Sequence, residues 1–380
     1  MENMKSVLLA LLLLVFVPVA VAEKRLVLID QDGSGPGGSN QMAMMVLLQS
    51  PQAQVLGITI VTGNAWRDEE VQHTLRMLEL IGRTDVPVVP GAVFPLVRTQ
   101  QGTRLATPLV GKVNWLGAWG AGPMDLKNQA AKTADFARSH DPYFVPPMAE
   151  GAPHTLPLDQ DAAHFLISQV HAHPHQVTIC ALGPLTNIAL ALSIDPHFAE
   201  LTQGIVIMGG SLNPQTSDPE FATNPRHEFN FWFDPEAADK VLRAPWKKIT
   251  ATTVDISIKT KLTPAMIKEI AAAGTPLAQY VARFFQPGLG SDYMWDELAA
   301  AAWIDPSIIT RRETLYLAVD TEHGAAYGNT MSWSANDKPK LPVRQVEVLV
   351  DLDNDKFNRM FIDLMRAPIQ PARKDVAAAF

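Results

Sequence analysis

The chain lacks most of the features that reveal a function at first sight. Its 380 residues include one cysteine, Cys180, so no intramolecular disulfide can form and stability must come from packing. Positive charge is scarce as well. With 31 Lys and Arg against 39 Asp and Glu the formal charge is −8, which leaves no electrostatic basis for binding nucleic acid. Charged residues make up 18% of the chain and hydrophobic ones 47%, a balance that excludes wholesale disorder and supplies a substantial core. No repeat, charge run or shift in composition marks a second domain, and beyond residue 22 no stretch is apolar enough to span a bilayer.

What is present begins at the amino terminus. Lys5 precedes an apolar run from Val7 to Val17, and the segment closes on Ala20-Val21-Ala22. That order reads as a signal peptide over residues 1–22 with cleavage before Glu23. The alternative, a membrane anchor, needs about 20 apolar residues and fits less well. The expectation is an exported chain of residues 23–380, periplasmic or secreted, with no stable membrane anchor after cleavage.

From Glu23 onward, short β-branched runs alternate with helical periodicity, the pattern of βαβ units. Strands are predicted at Arg25–Ile29, Val55–Val61, Val86–Val89, Val177–Leu182 and Ile205–Met208. Helices are predicted at Gln41–Leu48, Asp68–Ile81 and Pro184–Leu192. The fold expected is a single α/β domain with a mainly parallel central sheet flanked by helices and a cleft at the carboxyl end of the strands. Two stretches break the alternation, Thr99–Pro153 and Ser211–His227, and read as long functional loops.

Leu28-Ile29-Asp30-Gln31-Asp32 is a hydrophobic strand ending in two carboxylates two residues apart, which a strand's period places on one side. Acids at the carboxyl end of a strand suit a hard cation such as calcium or magnesium, although one could instead cap the next turn. The following Gly33-Ser34-Gly35-Pro36-Gly37-Gly38 matches a dinucleotide fingerprint. Two acids just before it, Pro36 within it and the missing acid at the end of the second strand all oppose a diphosphate.

A wider set of blocks resembles the inosine-uridine preferring nucleoside hydrolases. The run from Val27 to Pro90 carries Ile29-Asp30-Gln31-Asp32, Leu56-Gly57-Ile58-Thr59 and Gly63-Asn64. Pro95-Leu96-Val97-Arg98, Leu182-Gly183-Pro184-Leu185-Thr186-Asn187 and Met208-Gly209-Gly210 follow in order, then Glu228-Phe229-Asn230 and Trp295-Asp296-Glu297. The resemblance spans nearly all of the chain after residue 22. It implies cleavage of the N-glycosidic bond of ribonucleosides to base and ribose, with one Ca2+ at the base of a deep pocket.

Carried over residue by residue, the resemblance makes Asp32, the Leu182 carbonyl and Asp296 metal ligands. Asn64, Glu228 and Asn230 match ribose-binding positions, and Met208 a residue lining the sugar pocket. Such a set fits the chemistry, because glycosidic cleavage passes through an oxocarbenium-like state that carboxylates stabilise.

The chain departs from the family where its Asp-x-Asp-x-x-x-Asp-Asp motif should close. With three extra residues in the Gly loop, the final pair falls on Ser39 and Asn40. The resemblance makes Ser39 the usual proton-acceptor position, and a hydroxyl is no base at neutral pH. Asp32 and Asp30 are left as candidate acceptors. Asn40 can supply an amide oxygen to the metal but no charge, so calcium affinity should fall. Trp295 stands where some members carry His; it can stack on a base but cannot protonate a leaving group. The expectation is slow hydrolysis, and the rival reading is an exported nucleoside- or ribose-binding protein without catalysis. The partner expected is a small-molecule nucleoside and no nucleic acid; a homo-oligomer is compatible with the sequence. His171, His173 and His175 read as surface residues at a helix end, Trp115 and Trp119 as a roof over the pocket, and Trp232 and Cys180 as packing.

Overall fold

The computed structural model describes residues 24–111, 113, 115–120, 141–218, 221, 227–285 and 293–370. The proposed signal peptide and parts of both long loops lie outside the described residues. Among these, the strands are β1 (Arg25–Gln31), β2 (Ala53–Ile60), β3 (Val88–Pro90), β4 (Val177–Ala181) and β5 (Gly204–Met208), followed by β6 (Ile249–Thr252), β7 (Ile309–Val319), β8 (Thr330–Ser334) and β9 (Gln345–Leu352). They form one sheet in the order β3-β2-β1-β4-β5-β6-β9-β7-β8. The first seven in that order are parallel, and β7 runs antiparallel to both β9 and β8.

Strand alternation sends side chains to two separate cores. Val27 and Ile29 of β1 join the helices Ser39–Gln49, Arg67–Ile81, Pro276–Phe284, Trp295–Ile304 and Asn354–Arg366 on one face. Leu28 joins Ala162–Ala172, Thr186–Ile194 and Pro235–Arg243 on the other. The Ser39–Gln49 helix is buried along all but its first residue. A helix closed in on every side has no polar stripe, which is why Met42 to Leu48 reads as an unbroken apolar run.

The chain leaves β1 toward β2 and β3, then returns to β4 on β1's other side. At such a switch point the following loops diverge and open a crevice above the carboxyl ends of the strands. Asp32 follows β1 and Leu182 follows β4, so the reversal brings these two together.

Three expectations are corrected. The third strand is displaced to Val88–Pro90, since Pro87 has no N–H to give a ladder, though its carbonyl accepts from Ile58 N at 2.9 Å. The helix expected from Pro184 begins at Thr186, because Gly183-Pro184-Leu185 is spent on the turn. Inside the stretch read as a loop lies a helix, Gln100–Val110, whose amino terminus Thr99 caps by accepting from Gly102 N at 3.0 Å. Gly102 and Pro108 hide it in the sequence; Pro108 lies in the last turn, so the helix ends two residues later. No helix among the described residues is long and apolar enough to cross a membrane.

Candidate active site

Asp32 is fully buried at the switch point, pressed between two glycines. A Cβ on Gly63 would lie 2.1 Å from its Oδ2, and one on Gly183 would lie 2.9 Å from its Cγ. Only glycine allows both loops this close, so the Gly63-Asn64 and Gly183-Pro184 blocks are the walls of a carboxylate cradle. Oδ2 accepts from Asn64 N at 2.9 Å and Oδ1 from Asn40 Nδ2 at 2.8 Å. Asn40 Nδ2 also reaches the Leu182 carbonyl at 3.3 Å, and Asn230 Nδ2 approaches the same carbonyl at 3.4 Å.

Two more acids converge here. Asp296 opens the Trp295–Ile304 helix and Glu228 precedes the Phe229–Phe233 helix; both are buried. Burial raises the Asp32 carboxyl to about 7, helped by the nearby charge of Glu228. Burial and then the charges of Glu297, Asp32 and Glu228 push Asp296 well above the carboxylate range. Burial also raises Glu228. The main charges acting on Asp32 and Asp296 among the described residues are therefore other acids. Among the described residues no three His, Cys, Asp or Glu side chains gather closely enough to hold a metal alone. A cation at Asp32 and Asp296 would have to draw on the neutral oxygens of Leu182 and Asn40 as well. Asn40 now presents its nitrogen to Asp32 and Leu182; with that amide turned the donor set is all oxygen, which fits calcium, and the neighbouring acids favour a positive ion between them.

Glu228 has two jobs in the fold. Its Oε1 accepts from Asn230 N at 2.7 Å, and its Oε2 from Phe231 N at 2.9 Å and Gly210 N at 3.0 Å. It thereby caps a short helix and ties it to the end of β5. Asn230 Nδ2 closes the same corner by donating to the Met208 carbonyl at 3.0 Å, with the Met208 sulfur at 3.4 Å. Asn64 is half-buried and joins the group through Nδ2, which donates to Asn40 Oδ1 at 3.3 Å.

The remaining expected residues are placed differently. Asp30 turns into the sheet, where Oδ1 accepts from Thr59 Oγ1 at 2.5 Å and Asn187 Nδ2 at 2.7 Å. Its side chain bonds to none of the other candidates, though its carbonyl accepts from Leu182 N at 2.7 Å; burial raises the carboxyl to about 7, and its Oδ2 has no hydrogen-bond partner among the described residues. Trp295 is half-buried, edge-on to Tyr293 and Phe221 with centroids 5.2 and 5.6 Å away. Trp119 is buried against Phe233, centroids 4.4 Å apart, beside Trp232. Trp115 reaches the site through a bond from Nε1 to Asn64 Oδ1 at 2.8 Å.

Sequence reasoning missed the partner of Ser39. Its hydroxyl donates to Glu297 Oε2 and accepts from Asp296 N at 3.0 Å, bridging two helix starts. Glu297 is fully buried, burial raises it to about 8, and Oε1 has no hydrogen-bond partner among the described residues. The signal was visible only as an extra acid after Asp296.

The family model for the inosine-uridine preferring nucleoside hydrolases matches residues 27–359, and the chain belongs to that family. A probable uridine nucleosidase of Arabidopsis thaliana is 28% identical over 353 residues, covering 88% of this chain and 95% of the relative. An inosine-uridine preferring nucleoside hydrolase of Leishmania major is 27% identical, covering 90% and 97%. A pyrimidine-specific ribonucleoside hydrolase of Salmonella newport is 28% identical, covering 88% and 96%. Among solved structures, a plant nucleoside hydrolase superposes with a TM-score of 0.69 at 26% identity, covering 90% of this chain and 99% of that one. These matches support hydrolysis of ribonucleoside N-glycosidic bonds as the class of reaction.

His227, next to Glu228, gives a pH test of this corner. Burial, and then the charge of Arg98, lowers it to about 4. The unfolded chain takes up this proton near pH 6.5 and the folded one only near 4, so stability present above 6.5 drains away as pH falls through that window. The loss is about 3 kcal/mol by pH 4. Denaturant unfolding of His227→Asn should show that part of the slope gone; an unchanged slope would contradict the assignment.

Proposed function

We propose that this chain hydrolyses ribonucleosides at a cation site formed by Asp32, Asp296, the Leu182 carbonyl and Asn40. The observation that carries the reading is the convergence of Asp32, Asp296 and Glu228, three buried acids whose main charged neighbours among the described residues are other acids. When bound, calcium would lower the pKa of a nearby water and so supply a nucleophile at neutral pH.

The chain's own residues do the rest. Asp32 is the acid best placed to take the proton of the attacking water, because Ser39 is no base and its hydroxyl is engaged with Glu297 and the Asp296 amide. Asp30, held by Thr59 and Asn187, fixes the end of β1 instead of meeting substrate. Glu228, Asn230 and Asn64 line the corner where ribose hydroxyls would bind, with Met208 beneath. Buried acids there stabilise the positive charge that grows on the sugar as the base departs. Loss of one formal charge at Asn40 makes the reaction slower and the cation weaker than a full aspartate set would.

Incubating the protein with inosine and uridine in calcium, and assaying free ribose, tests this directly. Wild type should release ribose, and Asp296→Asn should lose at least about 100-fold in rate if it anchors the cation. A wild type that binds nucleosides without releasing ribose would overturn hydrolysis in favour of a binding protein.

We also propose export, on the strength of Lys5, the apolar run Val7–Val17 and Ala20-Val21-Ala22. Mass spectrometry of the protein from the producing cells should find Glu23 as the first residue; a retained Met1 would refute it.

A further inference from the structure

Four polar groups form a line in which every hydrogen points the same way. Trp115 Nε1 donates to Asn64 Oδ1 at 2.8 Å. Asn64 Nδ2 donates to Asn40 Oδ1 at 3.3 Å, and Asn40 Nδ2 donates to Asp32 Oδ1 at 2.8 Å and to the Leu182 carbonyl at 3.3 Å. The direction is imposed from both ends. An indole N–H can only donate, and the Leu182 carbonyl can only accept, so both amides between them are locked in one orientation.

That orientation is the wrong one for a cation. It aims the nitrogen of Asn40 at Asp32 and Leu182, while the ligating oxygen faces Asn64. For Oδ1 of Asn40 to meet a cation beside Asp32 the amide must reverse. Its Nδ2 would then face Nδ2 of Asn64, two donors with no acceptor between them. Asn64 must reverse in turn, and its nitrogen would then confront the Trp115 N–H.

We propose that Trp115 is a positioning residue for the cation site, its N–H bond to Asn64 holding Asn40 in the non-ligating orientation, so that cation binding and the Trp115–Asn64 bond exclude one another. The inference rests on the cation reading above. It makes the indole an antagonist of the metal rather than a support, and by linkage the metal weakens the indole's hold to the same degree. Trp115 stands edge-on to Phe229, centroids 6.4 Å apart, beside the helix that Glu228 caps. Release of the indole therefore changes the aromatic wall next to the sugar corner when the metal arrives.

Calcium titration of the whole protein, followed by calorimetry and by tryptophan emission, tests the inference. Trp115→Phe keeps the ring against Phe229 and removes only the N–H. It should bind calcium tighter by roughly 3–10-fold, the effect of one hydrogen bond, and lose the Trp115 part of the calcium-dependent emission change. Asn64→Asp offers an acceptor to both neighbours at once, so Asn40 can turn its oxygen to the cation while Trp115 stays bonded. In that variant calcium should bind tightly without moving the Trp115 emission. A Trp115→Phe protein with unchanged or weaker calcium binding overturns the proposal while leaving the cation site intact. If wild type and both variants bind no calcium, the cation reading fails and this inference with it.

Discussion

Like charges buried near one another repel, and Asp32, Glu228 and Asp296 feel one another's charge at the point where the sheet changes direction. Much of the surrounding structure serves to make that tolerable. Backbone amides of Asn64, Gly210, Asn230 and Phe231 point at two of the carboxylates, and Gly63 and Gly183 give up side chains so that the loops can close on Asp32. Amide donors lower the energy of a buried anion without balancing its charge, so the carboxyls remain biased toward holding protons. A site in this state is unsatisfied by the protein alone, and a small hard cation relieves it most simply.

The same constraint accounts for the departures from the family's aspartate motif. Ser39 and Asn40 are neutral, and each is held by hydrogen bonds that an acid would make differently. Ser39 joins the starts of two helices through Glu297 and the Asp296 amide, and Asn40 joins Asp32 to Leu182. Glu297 lies beside Asp296 and its charge is among those that raise the Asp296 carboxyl, so this helix start carries two buried acids next to the neutral Ser39 and Asn40. A member of this family built this way would keep the proposed ribose corner of Glu228, Asn230 and Met208 under a differently charged floor.

The sheet's parallel order and the place of Asp32 were legible because they rest on local patterns: an apolar run ending in Asp30-Gln31-Asp32, and glycines at fixed offsets. That Asp296 and Leu182 lie near Asp32 was legible only through the resemblance, since nothing local in the sequence brings a late helix start or a distant strand end to the first strand. Asp30 shows the limit of period-2 reasoning. It lies on the side expected, yet Thr59 and Asn187 claim it within the sheet. The Ser39–Glu297 bond joins residues 258 apart and the Trp115–Asn64 bond residues 51 apart, and no window of sequence contains either. The Gln100–Val110 helix was hidden by Gly102 and Pro108, whose effect depends on which turn they occupy.

Proton release on cation binding is the most direct measure of the charge these acids carry. Asp32 stands near 7 and Asp296 well above the carboxylate range, so at neutral pH the metal-free site holds protons that a cation must displace. Calorimetric titration with calcium at pH 7, in two buffers of different ionisation enthalpy, reads that release as a difference in heat. The account predicts saturable binding with heat that depends on the buffer in the sense of protons released. No binding, or binding with the same heat in both buffers, would contradict it.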